Sequence, residues 1–178
     1  MSVLPWQTAN VPGPKVASSL KGEVAGKLMQ KAKRPLLIVG MDSVKTEVNG
    51  KKLIDYAIQL GKAGIRICAT AHMYKEFSER GYKVEADMPV MNITDRLKDP
   101  EWKGIDGKGG HDLAVFLGVP YYLESQMLST LKHFAPSLTT IALDAQFQPN
   151  AKWSFPNLKD KDFETELTNM MTALKERS

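Results

Sequence analysis

The sequence predicts an α/β protein in which a parallel sheet lies between two layers of helices. Three features of the 178-residue chain lead there. The apolar runs Leu36–Val39, Ile65–Ala69, Asp112–Gly118 and Thr139–Leu143 are nearly continuous rather than alternating, as expected of strands covered on both faces. Stretches of helical spacing separate these runs. The strand–helix–strand unit from Leu36 to Ala69 has about the thirty-residue length of a parallel crossover.

Residues 1–14 read as an extended arm, because Pro5, Pro12, Gly13 and Pro14 oppose helix there. Leu4 and Trp6 on this arm need an apolar surface, either on the same chain or on another one; tryptophan is a common interface anchor. Pro14 then suits a helix start, and Val16, Leu20, Val24 and Leu28 recur four apart through a helix over Lys15–Ala32. After the first strand, Leu53, Ile54, Ala57, Ile58 and Leu60 predict a helix over Gly50–Gly61, with Asn49 or Asp42 capping or orienting its approach. Gly64 leads into the second strand. A short helix, His72–Arg80, closes at Gly81, and Met88–Ile93 is a third, short strand.

Asp95–Gly110 is polar and glycine-rich around Trp102, and reads as a surface connection. The strand Asp112–Gly118 precedes a helix over Tyr121–Phe134, and Thr139–Leu143 is the last strong strand. Asn150–Leu158 is irregular. The closing helix Asp160–Lys175 carries an apolar stripe of Phe163, Leu167, Met170 and Leu174. The expected organisation is therefore an arm over 1–14 and a single nucleotide-binding-type α/β domain over 15–178, a three-layer, Rossmann-like parallel sheet.

The formal charge of +4 is spread among 24 basic and 20 acidic residues, so no basic face for nucleic acid is expected. The densest cluster, Lys31, Lys33 and Arg34, falls where a helix ends and complements its dipole. Cys68 is the only cysteine, which excludes an intrachain disulfide and an iron–sulfur cluster held by four thiolates of this chain. It lies in an apolar run and is expected to be buried. No apolar stretch reaches the ~18 residues of a membrane span, and the amino terminus does not read as a secretion signal, so a cytoplasmic protein is expected.

In such folds the usable crevice lies beyond the carboxyl ends of the strands. At Gly40-Met41-Asp42-Ser43 the fingerprint G-x-G-x-x-G is missing. Two readings stay open: a plain turn, or a phosphate or flavin contact by the Gly40 and Met41 backbone with Ser43 donating a hydroxyl hydrogen bond. Asp42 suits such a site poorly, since it repels phosphate unless it meets ribose, a cation or a basic group. His72 opens a helix after the second strand and can donate to a ligand, or serve only the helix start; His111 and His133 read as surface or packing residues. Gly118-Val119-Pro120-Tyr121-Tyr122 ends a strand, starts a helix and sets aromatic rings where a planar ligand or a neighbouring chain can lie. Asp144 follows the last strong strand and carries little weight alone. No G-x-S-x-G, H-E-x-x-H or P-loop is present, so no catalytic set is expected of this chain itself.

The segments WQTANVPGPK (6–15), KRPLLIVG (33–40) and HDLAVFLG (111–118), the last followed by Tyr121-Tyr122, resemble the epsilon subunit of the archaeal acetyl-CoA decarbonylase/synthase, or carbon monoxide dehydrogenase, complex. The resemblance covers essentially the whole chain. It implies a small accessory subunit bound to the large alpha subunit in an alpha2-epsilon2 assembly, with nickel and iron–sulfur clusters only in that partner. It also implies a fold like the NAD/FAD-binding domain of thiamine-diphosphate enzymes, and hence an alternative role: an electron-transfer subunit binding FAD. The free chain can self-associate under either reading.

Overall fold

The run Pro35–Val39 (β2) forms a central strand whose Leu36, Leu37, Ile38 and Val39 are fully buried. The computed structural model describes residues 16–70 and 72–175; the expected arm, with Leu4 and Trp6, lies outside them. β2 pairs in parallel with Arg66–Ala69 (β5) on one side and Leu113–Leu117 (β7) on the other. Beyond β7 lie Thr139–Ala142 (β8) and the two-residue strands Trp153–Ser154 (β9) and Ser18–Ser19 (β1); beyond β5 lies Ala86–Asp87 (β6). The seven-stranded order is β1-β9-β8-β7-β2-β5-β6, with every pairing parallel. With the edge strand β1 set aside, the remaining strands run third, second, first, fourth, fifth, sixth in chain order. That is the doubly wound order, which places a switch point between β2 and β7.

Alternation along the strands builds two cores. Leu37, Val39, Ile67, Ala69, Val115 and Ile141 face one layer of helices, Gly22–Lys31 (α1), Leu53–Lys62 (α3), Met73–Glu79 (α4) and Asp160–Lys175 (α7). Leu36, Ile38, Cys68, Ala114, Phe116 and Ala142 face the other, Val90–Lys98 (α5) and Tyr121–Phe134 (α6). Both faces of the sheet are covered, which is why the strands read as unbroken apolar runs. Cys68 is buried as expected, and that burial, with the nearby Asp87 charge, pushes its thiol up to about 12.

Several elements depart from the sequence reading. Helix α1 begins at Gly22 rather than Lys15, because the preceding segment pairs at the sheet edge through β1. Its buried face is Gly22, Ala25, Gly26 and Met29, whereas Val24 is 40% exposed. The glycines serve contact with α7: a β-carbon on Gly22 would sit 1.8 Å from the Glu166 carbonyl oxygen, and one on Gly26 would sit 2.5 Å from that of Met170. The Glu166 carboxylate in turn accepts the Gly22 amide.

Asn49-Gly50 is the tip of a hairpin between Glu47–Val48 (β3) and Lys51–Lys52 (β4), with φ of 49° and 73°. Positive φ at both central residues is what the two-residue hairpin turn of this hand requires, and Asn-Gly is its strongest signal. Asn49 therefore does not cap α3; the Asp55 carboxylate accepts the Lys52 amide instead, at 3.2 Å. Met88–Ile93 is not a strand. The pairing falls two residues earlier, and Pro89 opens α5, where Val90 and Ile93 are buried at helical spacing. The segment 99–112 is the irregular connection, and Asn150–Leu158 contains the short strand β9.

At the amino ends of the strands Arg34 and Arg66 converge on Asp106, and the Asp112 carboxylate accepts the Lys33 and Arg34 amides at 2.8 Å each. His111 packs beside Trp102, with its Nε2 accepting the Ile105 amide at 3.3 Å, which leaves Nδ1–H to donate to the Arg34 carbonyl at 2.9 Å. Burial holds this imidazole below its ordinary pKa, so His111 is a packing residue. Arg34, read from sequence as part of a helix-end cluster, is instead the centre of this ion-paired layer.

Candidate functional site

The β2–β7 switch point is closed by its own backbone. Gly40 N–H donates to the Leu117 carbonyl at 2.9 Å, and Asp42 N–H to the Gly118 carbonyl at 2.8 Å. A β-carbon on Gly40 would lie 2.4 Å from that Gly118 oxygen and from Val119 Cα. One on Gly118, whose φ is 66°, would lie 2.4 Å from the Ser43 nitrogen. Both glycines thus let the two strand-end loops touch. Ser43 is fully buried, and its hydroxyl donates to the Gly40 carbonyl at 2.6 Å. The segment Asp42–Lys45 (α2) makes only one turn before the hairpin, so β2 is not followed by the long helix that a dinucleotide fingerprint opens.

Of the residues singled out from the sequence, Gly40, Ser43, Gly118 and Tyr121 gather at this switch point. Met41 packs partly buried against the core. His72 is exposed at the start of α4 beyond β5, and its side chain makes no capping bond. Tyr121 donates its hydroxyl to the Phe147 carbonyl at 3.2 Å and meets Tyr122 edge to face, with centroids 5.9 Å apart. Tyr122 itself is 83% exposed.

Beside the closed loops a cavity of about 300 Å³ opens between α2, the start of α6 and the segment after β8. Asp42, Lys45 and Thr46 line one side, Val119, Tyr121 and Glu124 another, and Asp144, Ala145 and Gln146 a third. Its floor is a carboxyl pair. Both Asp144 oxygens accept the Gly118 amide, at 2.9 and 3.1 Å. Glu124, only 1% exposed, hydrogen-bonds to Asp144 through the carboxyls and accepts Gln148 Nε2 at 3.2 Å. The same Gln148 nitrogen donates to the Tyr121 carbonyl at 3.0 Å. Burial, then the Asp144 charge, raises Glu124 well above the ordinary carboxylate range. Burial also lifts Asp144 to about 7, with Asp42 adding to the rise and the Gly118 amide opposing it. In such contact the charge on one carboxyl disfavours ionisation of the other, so the two titrate as a pair.

Glu124 had no signal in the sequence, since an acid in the first turn of a helix is ordinary there. Asp144 was visible only as an acid after a strand. Among the described residues no group of three or more His, Cys, Asp or Glu is placed to hold a metal ion, and no helix is long and apolar enough to cross a membrane.

Strand order, covered sheet and switch-point crevice define a Rossmann-like α/β protein. The family model described as CO dehydrogenase beta subunit/acetyl-CoA synthase epsilon subunit matches residues 1–171, and the chain belongs to that family. Among its relatives is the acetyl-CoA decarbonylase/synthase complex subunit epsilon of Methanothermobacter thermautotrophicus, 39% identical over 162 residues, or 90% of each chain. The subunit epsilon of Methanothrix soehngenii is 37% identical, over 97% of this chain and 91% of its own. Subunit epsilon 1 of Archaeoglobus fulgidus is 43% identical, over 88% of this chain and 84% of its own.

Proposed function

We propose that this chain is an accessory subunit of an acetyl-CoA decarbonylase/synthase complex, binding and stabilising the large carbon monoxide dehydrogenase alpha subunit. The observation that carries this reading is the family match across residues 1–171, joined to relatives that are named as subunit epsilon of such a complex. In this reading the stoichiometry is two-plus-two, the nickel and iron–sulfur chemistry resides in the partner, and this chain contributes surface. Tyr122, exposed beside the switch point, is the kind of side chain that anchors interfaces. The Leu4–Trp6 segment is a second proposed contact.

Light scattering behind size-exclusion chromatography tests the proposal on this chain mixed with the large subunit. Co-elution at the mass of a two-plus-two complex is expected; separate elution at micromolar concentrations of both chains overturns it. A flavin-binding role has less support, because the Gly40 amide and the Ser43 hydroxyl, two of the groups expected to meet a flavin phosphate, are engaged within the chain. Absence of saturable fluorescence quenching when the complex is titrated into FAD would remove that role.

A further inference from the structure

Two glycines in the chain follow a side chain that the next backbone nitrogen can attack: Gly50 follows Asn49, and Gly107 follows Asp106. None of the other asparagines and aspartates precedes a glycine. A five-membered ring closes most readily at such a pair, because glycine carries no β-carbon to crowd the attacking nitrogen. The backbone does not separate the two places. Gly50 has φ of 73° and Gly107 of 70°, and neither has an atom within 4 Å of where a β-carbon would sit.

The side chains do separate them. Asp106 is a carboxylate ion-paired with both Arg34 and Arg66, and its Oδ1 also accepts the Lys108 amide at 3.1 Å. An ionised carboxylate held in this way is a poor electrophile. Asn49 instead presents a neutral amide at the exposed tip of the β3–β4 hairpin, whose arms are two residues each. So short a hairpin opens locally at little cost, which gives Asn49 the backbone freedom that ring closure needs. A polar recess of about 260 Å³ beside the tip, lined in part by Asn49, Lys51, Tyr56 and Glu164, admits water. The Asn49 amide nitrogen donates to the Glu164 carboxylate, so this residue ties the hairpin to α7.

We propose that Asn49 is a site of spontaneous deamidation, and that its conversion releases the hairpin from α7. The Gly50 nitrogen gives up its proton and bonds to Asn49 Cγ, closing a succinimide ring. The Cγ–Nδ2 bond breaks, and Nδ2 takes up a proton and leaves as ammonia. Water then opens the ring at either carbonyl to leave aspartate or isoaspartate, and no oxidant or reductant takes part. The product puts a carboxylate where an N–H donor stood, so attraction to Glu164 becomes repulsion. This inference goes beyond the complex-subunit reading and does not depend on it.

Incubation of the full chain at 37 °C, at pH 8 and at pH 5, followed by tryptic mapping and mass spectrometry, tests the proposal. Cleavage after Lys45 and Lys51 isolates Asn49 in the peptide 46–51. Its acid and isoaspartate forms should accumulate faster at pH 8, where the attacking nitrogen loses its proton more readily, while Asp106 stays unchanged. Gly50→Ala should slow the conversion by about tenfold or more, through the crowding of its methyl group. Asn49→Asp copies one product without incubation and reads the second half of the proposal directly. It should melt about 1 °C or more below fresh wild type at low salt, and high salt should narrow the gap, as for a surface repulsion. A synthetic 46–51 peptide supplies the clock. If half of that peptide has converted while the folded wild type shows no acid at position 49, the site is overturned. Isoaspartate forming at Asp106 as fast as at Asn49 overturns the choice between the two places. An Asn49→Asp melting temperature equal to that of wild type at low salt overturns the release of the hairpin.

Discussion

Gly40 and Gly118 touch across the sheet's switch point: a β-carbon on Gly40 would fall 2.4 Å from the Gly118 carbonyl oxygen. The neighbouring atoms are backbone and cannot swing aside, so Gly40→Ala must part the two loops. The expected loss is about 1–3 kcal/mol or more, as for other forced overpacking. Gly64→Ala is the matched control. That residue has φ of 94° with nothing within 4 Å, so only conformational strain of about 1 kcal/mol is expected. Urea unfolding followed by far-UV circular dichroism checks both, and equal losses would mean that the Gly40 contact is not needed for stability.

The carboxyl pair makes stability depend on pH in an unusual direction. Asp144 is raised to about 7 and Glu124 is raised as well, so from pH 4 to 7 the folded chain holds protons that the unfolded chain gives up. Their contribution is greatest at the acid end of that window and declines as pH rises through the raised pKa values, that of Asp144 being about 7. One extra proton in the folded state corresponds to a slope of at most about 1.4 kcal/mol per pH unit. Glu124→Gln should flatten this decline in urea midpoints measured from pH 5 to 8. An unchanged slope in the variant would place the proton elsewhere.

Asp106 acts in the opposite sense at the far end of the sheet. Partial desolvation works against its ionisation, but the Lys108 amide, Arg34 and Arg66 outweigh it and hold its carboxyl at about 2. The stability it contributes is present above the ordinary carboxylate range and is lost as pH falls from about 4 through 2. Asp106→Asn should therefore lower thermal stability at pH 6 and narrow the difference between pH 5 and pH 3. A variant whose melting temperature falls with acid as steeply as the wild type would show that Arg34 and Arg66 do not act through this carboxylate.

Much of the fold could be read from the sequence, because β2, β5, β7 and β8 are buried on both faces and need apolar residues at almost every position. Tyr121–Phe134 and Asp160–Lys175 were equally legible, bounded by Pro120 in one case and by a clear apolar stripe in the other. The short strands β1, β6 and β9 were not, since two-residue pairings leave no periodicity. Asn49-Gly50 carried a hairpin signal, but both arms, Glu47–Val48 and Lys51–Lys52, are too short and polar to frame it. At the candidate site, the strand-end positions followed from topology. The Glu124–Asp144 contact did not, because it joins residues twenty apart whose types are ordinary for a helix start and a loop.

Helix α1 shows most clearly how a pattern can point to the wrong face, and it supplies a direct test. Val16, Leu20, Val24 and Leu28 recur four apart, yet Val24 is 40% exposed while Gly22, Ala25, Gly26 and Met29 are buried. The face is chosen by how closely two backbones can approach, and only small residues permit the approach of α7. Gly26→Ala gains up to about 1 kcal/mol of helix propensity. Against that, its new methyl would sit 2.5 Å from the Met170 carbonyl oxygen and 2.9 Å from the Ala173 β-carbon. Overpacking of about 1–3 kcal/mol should win, so the variant should be destabilised despite the better helix former. Val24→Ala should stay within about 0.5 kcal/mol of the wild type, as surface changes do. If urea unfolding gave the reverse, a loss at Val24 and none at Gly26, then α1 would pack by its branched stripe and its glycine contact with α7 would be wrong.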